Sequence, residues 1–163
     1  MDKQQKIVIL VLAILLALVT LAVIIVAALG TNRAGKFDPP PFEENAVAGV
    51  PDPLPSAFGT ITVNPGFVVG ACAYPSLEGS ELGVYLTSHK NNTCWVKIQI
   101  YDEEKRLLGQ SGLLQPGEYL PTVWLSEAPA GAEVLHATIL AYEPESYYSL
   151  GAVNIDLGLT MPK

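Results

Sequence analysis

The chain is poor in the residues that usually carry chemistry. Its 163 residues include two Cys, two His, two Met and two Trp. The cysteines, Cys72 and Cys94, form no CxxC pair, which argues against a zinc ribbon or a thiol-redox motif. No glycine loop has phosphate-cradling spacing, and Gly109-Gln-Ser-Gly112 lacks the G-x-S-x-G spacing of a nucleophile elbow. Charged residues make up only 15% of the chain, and basic ones are scarcer than acidic ones: 9 Lys and Arg against 16 Asp and Glu, a net charge of −7. From Ser56 onward the balance is 5 against 11, or −6. Such a segment repels nucleic acid and anionic surfaces. No enzymatic activity, metal or cofactor is expected.

Residues 7–29 lack charge, glycine and proline altogether, and Thr20 is their only polar residue. At 1.5 Å per residue a helix of this length runs about 34 Å, enough to cross a ~30 Å hydrocarbon core. Helix is the expected state because it satisfies its own backbone groups in lipid. A cleaved secretion signal is the rival, but signal cores are shorter, about 7–15 apolar residues. Length favours an uncleaved signal-anchor. A pilin-like segment is disfavoured because residues 7–29 contain no acidic residue. Lys3 and Lys6 precede the helix and Arg33 and Lys36 follow it, so the basic residues set orientation weakly. The reading taken is a cytoplasmic tail at 1–6, a transmembrane signal-anchor at 7–29 and everything else outside the cell.

Residues 30–55 read as an extracellular tether. Pro39, Pro40, Pro41, Pro51, Pro53 and Pro55 deny helix hydrogen bonds and favour a semi-rigid extended spacer. Residues 56–163 then form one small domain. From Phe58 short alternating runs are bounded by turns, which predicts strands over 58–63, 67–74, 82–88, 93–101, 106–110, 119–125, 133–142 and 147–161. In the clearest, Cys94, Val96, Ile98 and Ile100 face one way and Trp95, Lys97, Gln99 and Tyr101 the other. Turns are expected at Asn64-Pro65-Gly66, at 102–105, at 115–118 and at Ala128-Pro-Ala-Gly131. Pro121 marks its strand as an edge. Seven to nine strands at this spacing predict an all-β antiparallel sandwich.

The run 98–119 has a strand ending in Tyr101-Asp102, a charged turn, a short strand and then Leu114-Gln-Pro-Gly-Glu118, with Pro129-Ala-Gly131 before a long strand. Over about 93–161 this resembles small immunoglobulin-like β-sandwich domains of Gram-positive membrane-anchored surface proteins. The resemblance implies a fold and a compartment, with adhesion, assembly or envelope roles, and supplies no catalytic residues. The chain departs from the antibody pattern, since Cys94 lies 22 residues after Cys72 and Trp95 follows it directly.

Outside the membrane Cys72 and Cys94 read as a disulfide, which in the chain-entropy model stabilises by roughly 3 kcal/mol. Ser88-His89-Lys90 reads as solvated turn groups, and His136 as a surface histidine. Glu143 and Glu145 with Asp156 supply too few oxygens for calcium. Leu120-Pro-Thr122 lacks the glycine of a cell-wall sorting motif. Asn91-Asn-Thr93 matches a glycosylation sequon, relevant only in a eukaryotic source. The candidate partner surface is the set Trp95, Lys97, Gln99, Tyr101, Trp124, Tyr147 and Tyr148, outward aromatics with polar neighbours that suit a protein or glycan. The expected function is a single-pass membrane-anchored binding or assembly module of the cell envelope, with homo-oligomers allowed. A pilin-like or secretion or conjugation machine subunit is the first alternative, and a secreted enzyme or protease inhibitor the second.

Overall fold

The computed structural model describes residues 2–31, 38–63, 66–129 and 133–159. The expected turn at Asn64-Pro65, the turn around Ala130-Gly131, the end of the last strand at Met161 and tether residues 32–37 lie outside these. The chain divides into two units, Met1–Pro39 and Pro40–Lys163.

The first unit is the helix α1, Lys3–Thr31. Asp2 opens it: its carboxylate accepts from the Lys3 amide at 3.0 Å, and its own amide donates to Gln5 Oε1 at 3.1 Å, the back-bond of a capping box. Thr20 is satisfied within the helix, its hydroxyl donating to the carbonyls of Ala17 and Leu16 at 2.9 and 3.1 Å. The stretch Lys3–Ile25 is long and apolar enough to cross a membrane, and none of it is buried.

The second unit is built of antiparallel β-sheets. Its strands are β1 (Val47–Ala48), β2 (Phe58–Val63), β3 (Phe67–Cys72), β4 (Leu77–Glu78), β5 (Glu81–Leu82), β6 (Leu86–Ser88), β7 (Trp95–Tyr101), β8 (Leu107–Gln110), β9 (Glu118–Leu120), β10 (Val123–Trp124), β11 (Val134–Tyr142) and β12 (Ser149–Gly158). They form a five-stranded sheet β1-β9-β6-β3-β2, a four-stranded sheet β12-β11-β7-β8 and a small sheet β10-β5-β4. The alternation in the sequence sets which face is inward. Val96, Ile98 and Ile100 of β7 and Leu135, Ala137, Ile139 and Ala141 of β11 are buried, and they share one core with Val69, Leu82, Leu86 and Leu157 from the other strands. Burying one such Leu or Ile side chain contributes about 1.5–3 kcal/mol.

Two side chains complete backbone pairing that the strands leave open. Asn92 accepts from the Val68 amide through Oδ1 and donates to the Val68 carbonyl through Nδ2, both at 2.8 Å, so its amide substitutes for a neighbouring strand. Ser111 Oγ accepts from the Ile98 amide at 3.0 Å and donates to the Gly112 carbonyl at 2.7 Å.

The strand expected at 82–88 divides around Tyr85, whose φ is 48°, into β5 of the small sheet and β6 of the large one, and the described residues hold twelve strands rather than seven to nine. Three further expectations change. First, residues 40–55 are not a free spacer throughout. The Leu113 amide donates to Pro41 O, the Glu43 amide to Leu113 O, and β1 pairs with β9, so residues 41–49 run along the β-unit as a strap. Second, the strand expected at 119–125 breaks at Pro121. β9 joins the large sheet and β10 the small one, because proline has no N–H to continue a ladder. Third, Cys72 and Cys94 are free, buried thiols and no disulfide joins them. Cys72 ends β3, and its Sγ donates to Ser56 O at 3.2 Å. Cys94 lies two residues after Asn92, which clasps Val68 near the other end of that strand. Four residues of strand span about 13 Å at ~3.3 Å each, whereas a disulfide needs its Cα atoms within ~7 Å.

Candidate partner surface

β7 pairs β11 from Trp95↔Tyr142 to Tyr101↔His136, so Trp95, Lys97, Gln99 and Tyr101 share the outward face of the four-stranded sheet. At one end of this row stands an aromatic stack. Trp95 meets Phe42 of the strap edge-on, with centroids 4.8 Å apart at 78°. It also meets Tyr147, 5.3 Å away at 58°. Tyr147 holds a left-handed backbone conformation, φ 59°, in the hairpin between β11 and β12. The hairpin is closed by hydrogen bonds from the Glu143 amide to Tyr148 O and from the Tyr147 amide to Glu143 O. A left-handed conformation costs a non-glycine residue roughly 1 kcal/mol, and here it coincides with packing on Trp95. Within the stack Phe42 is 41% exposed, and Tyr148, the residue after Tyr147, is 74% exposed.

The middle of the row is a hydrogen-bonded chain. Lys97 Nζ and Gln99 Nε2 donate to Gln110 Oε1 at 3.1 and 3.3 Å, and Tyr101 OH donates to Gln99 Oε1 at 2.9 Å. Lys97 is only 6% exposed. Desolvation by burial lowers its ammonium pKa below the ordinary lysine value. Further along, His136 Nδ1 lies 2.7 Å from Asp156 Oδ1, and the Thr138 hydroxyl donates to Asn154 Oδ1 at 2.8 Å. Glu143 accepts from the Ser146 hydroxyl within the hairpin. Among the described residues no group of three or more His, Cys, Asp or Glu is placed to hold a metal ion.

Of the seven residues singled out in the sequence, the structure brings Trp95 and Tyr147 together, with Tyr148 the next residue in the same hairpin. Lys97, Gln99 and Tyr101 share the face, but their polar groups are engaged with one another and with Gln110. Trp124 lies on β10 opposite Glu81, in a different sheet, and is 64% exposed. Phe42 was missed by sequence reasoning because it sits in a proline-rich stretch with no periodicity. An aromatic directly after Pro39-Pro-Pro41 was the only available signal. No protein-family model matches the chain, and no curated protein sequence matches it.

Proposed function

We propose that the protein is a single-pass membrane protein whose β-unit, an immunoglobulin-like sandwich displayed outside the cell, binds another envelope component rather than catalysing a reaction. The observation that carries this reading is the stack of Phe42, Trp95 and Tyr147, followed in the same hairpin by the exposed Tyr148. Aromatics that are held rigidly by their neighbours and still offer surface lose little entropy on binding, and they dominate protein interfaces. Trp95 is already covered by Phe42 and Tyr147. The contact surface is therefore offered by residues of a strap and a hairpin, which suits a protein partner more than the flat stacking of a sugar ring. The helix supports the reading by restricting the search for that partner to two dimensions.

The test is site-specific photo-crosslinking from position 148 in intact cells. A discrete protein adduct that weakens at least tenfold on Phe42→Ala, with the β-unit still folded, is the expected result. No adduct would count against the reading, and adducts to envelope glycan alone would move it to glycan binding.

A further inference from the structure

A second feature lies on the five-stranded sheet, away from the sheet that carries Trp95. Residues 49–54 and the outward side of β2, β3 and β6 enclose a groove of about 630 Å³. That is within the ~300–1,000 Å³ of pockets that hold small molecules. Its floor is formed at Gly70, where the Phe58 ring lies so close that a Cβ would overlap it, and by Val68. Its wall is formed by Val50 and Leu54, which are 66% and 59% exposed. Four apolar side chains thus face a space that no other described part of the chain fills.

The lining carries one formal charge, the ammonium of Lys90. His89 lines the groove with it, and no carboxylate does so among the described residues. This stands out in a segment whose net charge is −6. The Asn91 amide donates to His89 Nδ1 at 3.2 Å, which in the neutral ring puts the proton on Nε2 and leaves that nitrogen a donor. No described residue forms an ion pair with Lys90.

We propose that this groove binds a long-chain fatty acid. The alkyl chain lies along Val50, Leu54, Phe58 and Val68, where burial of apolar surface is favourable without directional demands. The carboxylate meets the Lys90 ammonium and His89 Nε2–H, charge-assisted bonds that a neutral head group does not form with the same strength.

The experiment places the full chain in nanodiscs of neutral phosphatidylcholine, labels it with a diazirine-bearing palmitic acid and maps the adducts by mass spectrometry. Adducts are expected in residues 50–70 and 87–90, with less labelling by the matching diazirine alcohol. Thr60→Trp, an exposed groove position, should reduce the groove adducts at least tenfold. Lys90→Gln should reduce those of the acid several-fold and leave those of the alcohol unchanged. Leu54→Glu replaces Thr60→Trp if the latter lowers the melting temperature. Adducts confined to residues 3–31, or groove adducts unchanged by Thr60→Trp and Leu54→Glu, overturn the proposal. Equal labelling by acid and alcohol overturns the head-group assignment. Labelling that falls as more copies are loaded per disc would give the groove to a second copy instead.

Discussion

The Glu43 carboxylate accepts a hydrogen bond from the Gly112 amide at 2.7 Å, from 69 residues earlier in the chain. The contact is close because residue 112 has no side chain: a Cβ there would stand 2.6 Å from the Glu43 nitrogen and 2.8 Å from its Cα. The strap therefore depends on a glycine, and with it the seating of Phe42 on Trp95.

Gly112→Ala should lift the strap without unfolding the sheets. Forcing a methyl group into such a contact costs about 1–3 kcal/mol. Expected results are faster proteolysis within residues 41–50, a red shift of Trp95 fluorescence and weaker crosslinking from position 148. Glu43→Ala should act in the same direction at about 1 kcal/mol, the value of one hydrogen bond. Unchanged proteolysis in both variants would mean that the strap does not depend on this contact.

Acid should loosen the hairpin between β7 and β8. Asp102 Oδ1 accepts from the Arg106 amide at 2.8 Å and Oδ2 from Arg106 Nε at 2.7 Å. Desolvation pushes the Asp102 pKa up, but the Arg106 backbone and side-chain hydrogen bonds and the guanidinium charge outweigh it and hold the carboxyl below its ordinary value. A depressed folded pKa gives stability that is complete above the unfolded value, about 3.9, and lost as pH falls through the folded value. Asp102→Asn should therefore lower the Tm at pH 7, and its difference from the parent should shrink below about pH 4. A constant difference across that range would contradict the assignment.

The two thiols should behave as buried hydrophobes. Reductant should leave the Tm unchanged, and thiol titration after denaturation should find both cysteines reduced. Burial raises the Cys94 pKa above its ordinary value, so its thiolate fraction at neutral pH is small and alkylation of the folded protein should be slow. A mass showing the loss of two hydrogens would restore the disulfide.

The strands that carry the core were legible because alternation is a local signal. In β7 the positions read as inward, Val96, Ile98 and Ile100, are buried, and the same alternation buries Leu135, Ala137, Ile139 and Ala141 of β11. What escaped depends on distant partners. Nothing near Glu43 announces Gly112, and proline content by itself describes a spacer equally well. Asn92 looks like turn punctuation until Val68 arrives beside it. Lys97 sits on the outward face by periodicity, yet it is buried, because alternation gives the direction of a side chain and not what covers it. The break at Pro121 was read as an edge, whereas the missing N–H marks the place where the chain changes sheets.

The central claim, that α1 holds the β-unit at the outer surface of a membrane, is tested most directly by protease shaving of intact cells expressing the chain with a C-terminal tag, followed by intact-mass analysis of the membrane fraction. The account predicts that the tag is removed while the segment containing Lys3–Ile25 stays in the membrane. A tag protected until the cells are lysed, or a β-unit recovered in the medium without that segment, would contradict it.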